Sequence, residues 1–245
     1  MKEQRKLNKG GKMLLLFTLV ISSIFLLRPF TVKADVNVNI NKKTQIVTDL
    51  IGQYSINYTG DANFFGFYGY YENNNYNEMV KDTDFKATVD TIGKDKIVNS
   101  SIASLKKTDG ATQIEAAYLV WETSVQGKNN TDLVKKAANK AVYFAGSTDK
   151  GAFTKKVNAS YAAVDMREPH LGTKEYTFSC MYVDVTSVVQ KYGYGKYGVA
   201  NIPYAASMKT SNTDKGTHAG ESSSAWQLIV IEKNSKANVR AVSLK

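Results

Sequence analysis

Runs of alternating apolar and polar residues, rich in Tyr, Val, Ile, Thr and Phe and bounded by Gly, Asn, Asp and Ser clusters, recur from Gln45 to Glu232. Alternation with a period of two sends every second side chain to one face, so each run predicts a strand with one buried side. The expected strands are 45–51, 54–58, 63–71, 85–91, 113–122, 141–144, 152–157, 176–183, 197–202 and 226–232. Only two segments predict helix. Thr131 and Asp132 cap a stretch through Lys140 whose Leu133, Val134, Ala137, Ala138 and Ala141 share one side, and Asp184 or Thr186 caps a shorter turn stopped by Gly193. Many short strands with polar, glycine-bearing loops predict an all-β domain, a β-sandwich of jelly-roll-like character with one or two short helices.

Two runs depart from simple alternation. In "AAYLVWE", ending at Glu122, and in "LIVI", residues 228 to 231, both faces are apolar, which predicts central strands shielded on two sides. Trp121 and Trp226, the only tryptophans, fall in or beside these runs and are expected to anchor the core. The glutamates that close the runs, Glu122 and Glu232, have a plain reading as the point where an apolar strand meets water. Their sharper reading is a carboxylate pair at neighbouring strand ends, the arrangement glycoside hydrolysis requires.

The N-terminus has a different pattern. Lys2, Arg5, Lys6, Lys9 and Lys12 precede an uncharged stretch from Met13 to Leu27, and Val32-Lys33-Ala34 fits a small-x-small cleavage site. Residues 1–34 are therefore expected to be a signal peptide and 35–245 a single secreted domain, with membrane contact only through the uncleaved leader. The whole chain holds 32 Lys+Arg and 22 Asp+Glu, of which the leader takes seven and one, leaving 25 against 21. So weak a surplus, scattered along the chain, argues against nucleic acid as a partner. A single cysteine, Cys180, excludes an internal disulfide, so stability must come from packing or another cross-link.

Candidate chemistry is sparse. Cys180 lies in "YTFSCMYVDV", on a strand face shared with Tyr176, Phe178 and Tyr182, where a buried thiol is inert. His170 and His218 stand in polar loops, and no nucleophile-elbow, zinc-protease or Cys-x-x-Cys motif accompanies them. No catalytic residue, metal site or cofactor is expected. "KDTDF" and "YTGDAN" hold carboxylates without calcium-loop spacing. Four Asn-x-Ser/Thr sequons, at Asn57, Asn99, Asn129 and Asn158, are expected by chance in so Asn-rich and Ser/Thr-rich a chain. The aromatic run "NFFGFYGYYENNNYN" suggests packing, or a ligand platform built from Tyr68, Tyr70 and Tyr71.

"AAYLVWETS", "YTFSCMYVDVTSVVQKYGYGKYGVANIP" and "AGESSSAWQLIVIEKNSKANVRAVSLK" together resemble the N-terminal β-sandwich domain of large Gram-positive surface proteins, the isopeptide-forming fimbrial or adhesin-like kind. The resemblance spans roughly residues 111 to 245 and implies a cell-surface or extracellular role in attachment or surface assembly, with extracellular proteins, glycans or other surface domains as partners. It brings no catalytic residues. A self-made Lys–Asn bond, with Glu122 or Glu232 as proton shuttle, is conceivable in such a domain. The chain closes on "VRAVSLK" without sorting motif or hydrophobic tail, so a stand-alone, shed or truncated domain is expected. The resulting expectation is a non-enzymatic adhesin-like domain; the alternatives are a carbohydrate-binding module and a secreted hydrolase acting on carbohydrate or peptide.

Overall fold

A computed structural model describes residues 37–40, 48–65, 77–126, 136–167, 176–203 and 222–244. All of them lie in the second of the two units into which the chain divides, Asp35–Lys245. Among the described residues, eleven strands form two sheets. The larger contains β1 (Asn37–Ile40), β2 (Thr48–Phe65), β4 (Ala111–Gln126), β7 (Tyr161–Arg167), β8 (Tyr176–Asp184), β10 (Ser222–Asn234) and β11 (Val239–Leu244), in the order β1-β7-β8-β4-β10-β2-β11. The smaller contains β3 (Ser100–Leu105), β5 (Val142–Thr148), β6 (Gly151–Val157) and β9 (Gly195–Ala200), in the order β3-β9-β5-β6. Every pairing among the strands is antiparallel except that of β1 with β7. The fold is an all-β sandwich with few short helices, as the alternation predicts.

The two tryptophans face each other across β4 and β10 in register, and both point between the sheets. Trp121 is fully buried and Trp226 nearly so, among Leu119, Leu228 and Val230 of their own sheet and Phe144, Tyr197 and Val199 of the other. They differ in one respect. The Trp226 indole donates to Ser101 Oγ at 2.8 Å, whereas the Trp121 indole N–H has no partner. A buried donor that makes no bond carries a desolvation cost that a phenylalanine would not. Trp121→Phe is therefore expected to cost at least 1 kcal/mol less than Trp226→Phe, which also strands the Ser101 hydroxyl; urea titrations of both variants measure the difference.

Several expected elements changed character. Residues 85–91 were expected as strand, and the sequence "FKATVDT" does alternate. It forms instead a single 3-10 turn ending at Phe85 and then α2 (Lys86–Ile92), which follows α1 (Glu78–Lys81). The same residues satisfy a helical period, because Phe85, Thr88 and Ile92 are the buried ones. Local signals settle the choice: the Asp82 carboxylate accepts the Asp84 N–H at the start, and Gly93, at φ 92°, ends the helix in a conformation other residues resist. Of the helix expected over 131–140, residues 136–138 are helical with Ala137 and Ala138 buried, and 131–135 lie outside the described residues. The helix expected after Asp184 is α3 (Thr186–Tyr192), closed by Gly193.

These helices cover the sheets unequally. Met79 of α1 and Phe85 and Ile92 around α2 pack on Ala145 and Ala200, so α1 and α2 cover the outer side of the smaller sheet. The fit is close. A side chain at Gly198 would meet Met79 Cε at 2.5 Å. Helix α3 turns Val188 and Val189 into the core between the sheets. The outer side of the larger sheet has no such helix among the described residues.

Candidate binding face

Alternation along the central strands decides what the larger sheet shows to the outside. On β4 the inward residues are Ala117, Leu119 and Trp121, so Ala116, Tyr118, Val120 and Glu122 point outward. On β10 the inward Trp226, Leu228 and Val230 leave Gln227, Ile229 and Ile231 outward. β2 adds Tyr54, Ile56 and Tyr58, which are in register with Lys233, Ile231 and Ile229. This second apolar layer runs across the sheet: Tyr54, Ala116, Tyr118, Ile231 and Val242 are buried in it, with Leu50, Tyr182 and Leu244 packed alongside. The ring of Tyr161 on β7 lies 5.6 Å from that of Tyr182 and extends the layer by one more strand.

The centre of the layer is sealed by its own rings, and its crest is not. Ile56 is 55% exposed and Tyr58 68%. Two side chains of that size, side by side on a flat face over an apolar bed, are the anatomy of a contact patch. Tyr182 adds an electrostatic mark. Burial, then the neighbouring phenols of Tyr161 and Tyr118, raise its pKa, so its hydroxyl stays a neutral donor at physiological pH. Lys233 and Glu115 pair at 3.0 Å at one border, and Glu115 is the extra residue of a β-bulge where β4 slips against β10.

Cys180 belongs to this face. It is in register with Glu122 on β4 and Ala163 on β7, and it is exposed, which corrects the expectation of a buried thiol. The face Cys180 shares with Tyr182 is apolar as expected, but it turns to the outside. Desolvation of the sulfur, followed by the Glu122 carboxylate beside it, raises the thiol pKa. Accessibility is thus offset by a scarcity of thiolate, and Cys180 is a poor nucleophile. His170 and His218 lie outside the described residues, as do Tyr68, Tyr70 and Tyr71.

The two glutamates do not meet. Glu122 is exposed on the outer face opposite Ala225, while Glu232 lies seven residues further along β10, facing inward opposite Ile114. Seven residues of strand span about 23 Å, far beyond the roughly 5–10 Å that separates glycosidase carboxylates. The sharper of the two readings, a converging acid pair, is excluded by this separation.

Glu232 has a different environment from the one its sequence suggested. It is fully buried and accepts hydrogen bonds from the Tyr194 hydroxyl at 2.7 Å, Ser55 Oγ at 3.1 Å, Asn57 Nδ2 at 3.3 Å and the Thr108 N–H at 3.5 Å. Asn57 also donates to the Lys106 carbonyl, and Asn234 ties Ser55 to the Asp109 carbonyl. The carboxylate thereby clamps β2, β10, the turn before β4 and the segment before β9. Asn57 supplies the amide that a Lys–Asn bond would need, but no lysine ammonium bonds Glu232 among the described residues. Among those residues, too, no group of three His, Cys, Asp or Glu is placed to hold a metal ion.

Two sequons are engaged in the fold. The Asn57 amide is committed to Lys106 and Glu232, and the buried Asn99 exchanges two bonds with the backbone of Ile202. Asn158 is exposed and Asn129 lies outside the described residues.

The Tyr194 phenol carries a pH consequence. Burial first, then its bond to Glu232 and that carboxylate's charge, push its pKa well above the ordinary value. A raised folded-state pKa contributes stability that is complete below the unfolded value, about 10, and is lost as pH rises beyond it. Buried Tyr197, whose hydroxyl donates to the Gly193 carbonyl, shifts the same way. Denaturant midpoints are therefore expected to fall steadily above about pH 10, and Tyr194→Phe to flatten part of that fall.

Compared with protein-family models, with curated proteins and with solved structures, the chain matches none of them.

Proposed function

We propose that the chain is a non-enzymatic, adhesin-like binding domain that works outside a Gram-positive cell, in attachment or surface assembly, and that it holds a protein ligand on the outer face of its larger sheet. The observation that carries this reading is the exposed pair Ile56 and Tyr58 on an apolar bed that runs from Val242 to Tyr182. The smaller sheet buries its corresponding side under α1 and α2. A monomer gains nothing from leaving such a face open to water, and proteins use one for contact. The aliphatic content favours protein over glycan. Sugar rings stack on aromatic planes, whereas Ile56, Ile229, Ile231 and Val120 interleave the phenols here as in protein interfaces.

Binding of the fluorescently labelled chain to whole Gram-positive cells tests the proposal. Retention that is abolished by prior protease treatment and survives periodate oxidation of surface sugars is the expected result. Retention lost to periodate alone transfers the site to the carbohydrate-binding alternative. No retention on any cells tested, or a hydrolytic product released from them, overturns the adhesive reading.

A further inference from the structure

We propose that a cleft at one end of the smaller sheet is an anion site, and that it takes a phosphate monoester between the ammonium groups of Lys96, Lys140 and Lys156. It shares no residue with the outer face of the larger sheet, and it stands whether or not that face holds a protein. The cleft has a volume of about 680 Å³, within the ordinary range for small-molecule sites. Its walls come from four places in the chain: the 3-10 turn Lys94–Lys96 after α2, the residues that lead into β5, the end of β6 and the end of β9.

Strand register brings the lysines together. Tyr143 is the partner of both Lys156 and Ala200, so the start of β5 lies between the ends of β6 and β9. Register partners project to the same side of a sheet. Tyr143 and Ala200 pack with Ile92 and Ile97 on the side that α2 covers, so Lys156 rises there too, toward the turn that carries Lys96. Asn201 pins that turn. Its side chain accepts the Val98 N–H at 2.9 Å and donates to the Lys96 carbonyl at 2.9 Å, from a backbone held at φ 62°. Lys140 is set at the entry to β5 by its own N–H, which donates to the Ala137 carbonyl at 3.1 Å. The hollow is therefore formed by ordered backbone before any ligand arrives.

Charge gives the hollow its sign. None of the described residues lining it is acidic, and Lys96 and Lys156 have no ion-pair partner among the described residues. A second cleft, of about 660 Å³ between α1 and β3, is built differently: its Lys196 is held by Asp82 at 2.9 Å and Asp84 at 2.7 Å, so it carries its own anions. Like charges gathered around one concave surface repel each other and focus a positive field, and an entering anion relieves both. The donors also select among anions. Ammonium groups arriving from three elements suit a phosphate, which carries nearly two charges and three acceptor oxygens, better than a planar carboxylate, which the arginine fork matches. Asn158 adds an amide at the rim, and Val98, 54% exposed, offers an apolar wall to the carbon skeleton of an ester.

Amide NMR spectra of the full chain, recorded at constant ionic strength, test the site with inorganic phosphate, glycerol phosphate and acetate as probes. Saturating shifts of the Val98, Asn158 and Asn201 signals are expected with phosphate, at a dissociation constant of about 5 mM or tighter, and glycerol phosphate is expected to bind at least as tightly. Lys96→Gln with Lys156→Gln is expected to weaken binding at least about 10-fold. Both side chains are exposed, and the same spectra show that the variant is folded. Lys150→Gln with Lys191→Gln removes equal charge at the other end of the smaller sheet and is expected to change the affinity less than about two-fold. Shifts that grow linearly with phosphate without saturating overturn the proposal. So does equal weakening in the two double variants, which would mean attraction to net charge alone, and so does undiminished binding in the first of them. Acetate that saturates the same signals as tightly as phosphate, or an ester that fails where phosphate binds, overturns the ligand class.

Discussion

Glu232→Ala is expected to lower the melting temperature by about 10 °C. The carboxylate is fully buried and receives four donors, from Tyr194, Ser55, Asn57 and Thr108. Alanine leaves the Tyr194 and Ser55 hydroxyls and the Thr108 N–H without this acceptor, and Asn57 keeps only the Lys106 carbonyl. Breaking a buried, hydrogen-bonded charged group in this way costs about 3–5 kcal/mol, and each kcal/mol moves the midpoint of a domain this size by roughly 2–4 °C. Glu232→Gln separates acceptor from charge. It keeps one oxygen, enough for Tyr194, but turns an amide N–H₂ toward donors that already point inward, so roughly a third of the loss is expected. Thermal melts of the two variants check the ratio. Equal small losses would show that the clamp contributes little. A loss from Gln as large as from Ala would show that the negative charge matters more than the bonds.

The sequence announced this residue only as the polar end of an apolar run. It was read as the point where "LIVIE" meets water, because nothing within several positions suggests four donors. Ser55 and Asn57 stand 177 and 175 residues away, and they face Glu232 only because β2 pairs with β10 along twelve consecutive positions. The same long pairing explains why β2 is one strand and not the three fragments that Gly52 and the Gly60-Asp61 pair suggested: ladder bonds from β10 and β11 outweigh local turn preference. Burial of Trp121 and Trp226 was legible, since an indole amid alternating apolar residues has few other places to go. The failure over 85–91 arose where two periods fitted the same seven residues and capping decided between them.

The candidate face was half legible. Apolar residues on both sides of "AAYLVWE" correctly implied two apolar surroundings, and Tyr118 and Ala116 are buried as expected. What sequence could not supply was the asymmetry of cover. Whether a second apolar side is covered by a helix, as on the smaller sheet, or left open at its crest, as around Ile56, depends on where distant elements pack. Cys180 shows the same limit: an apolar strand face was read rightly, and its direction wrongly.

If the crest is where a ligand sits, a double substitution there separates binding from folding. Ile56→Lys with Tyr58→Lys puts two charges at positions that are 55% and 68% exposed, so the fold loses little and the melting temperature is expected to stay within about 2 °C. Binding is affected differently. Two central contacts worth about 1–2 kcal/mol each are removed, and each ammonium must shed water to enter an apolar contact. Retention on cells is expected to fall at least 100-fold, about 2.8 kcal/mol or more. Ile51→Lys is the control, because Ile51 is still more exposed at 79% but its alternation sets it on the opposite face from Ile56. An unchanged Ile51 variant beside a non-binding crest variant localises the contact to the outer face. Equal loss in both would mean that added positive charge, and not the loss of Ile56 and Tyr58, drives the ligand away, and full retention in the crest variant would remove this face from consideration.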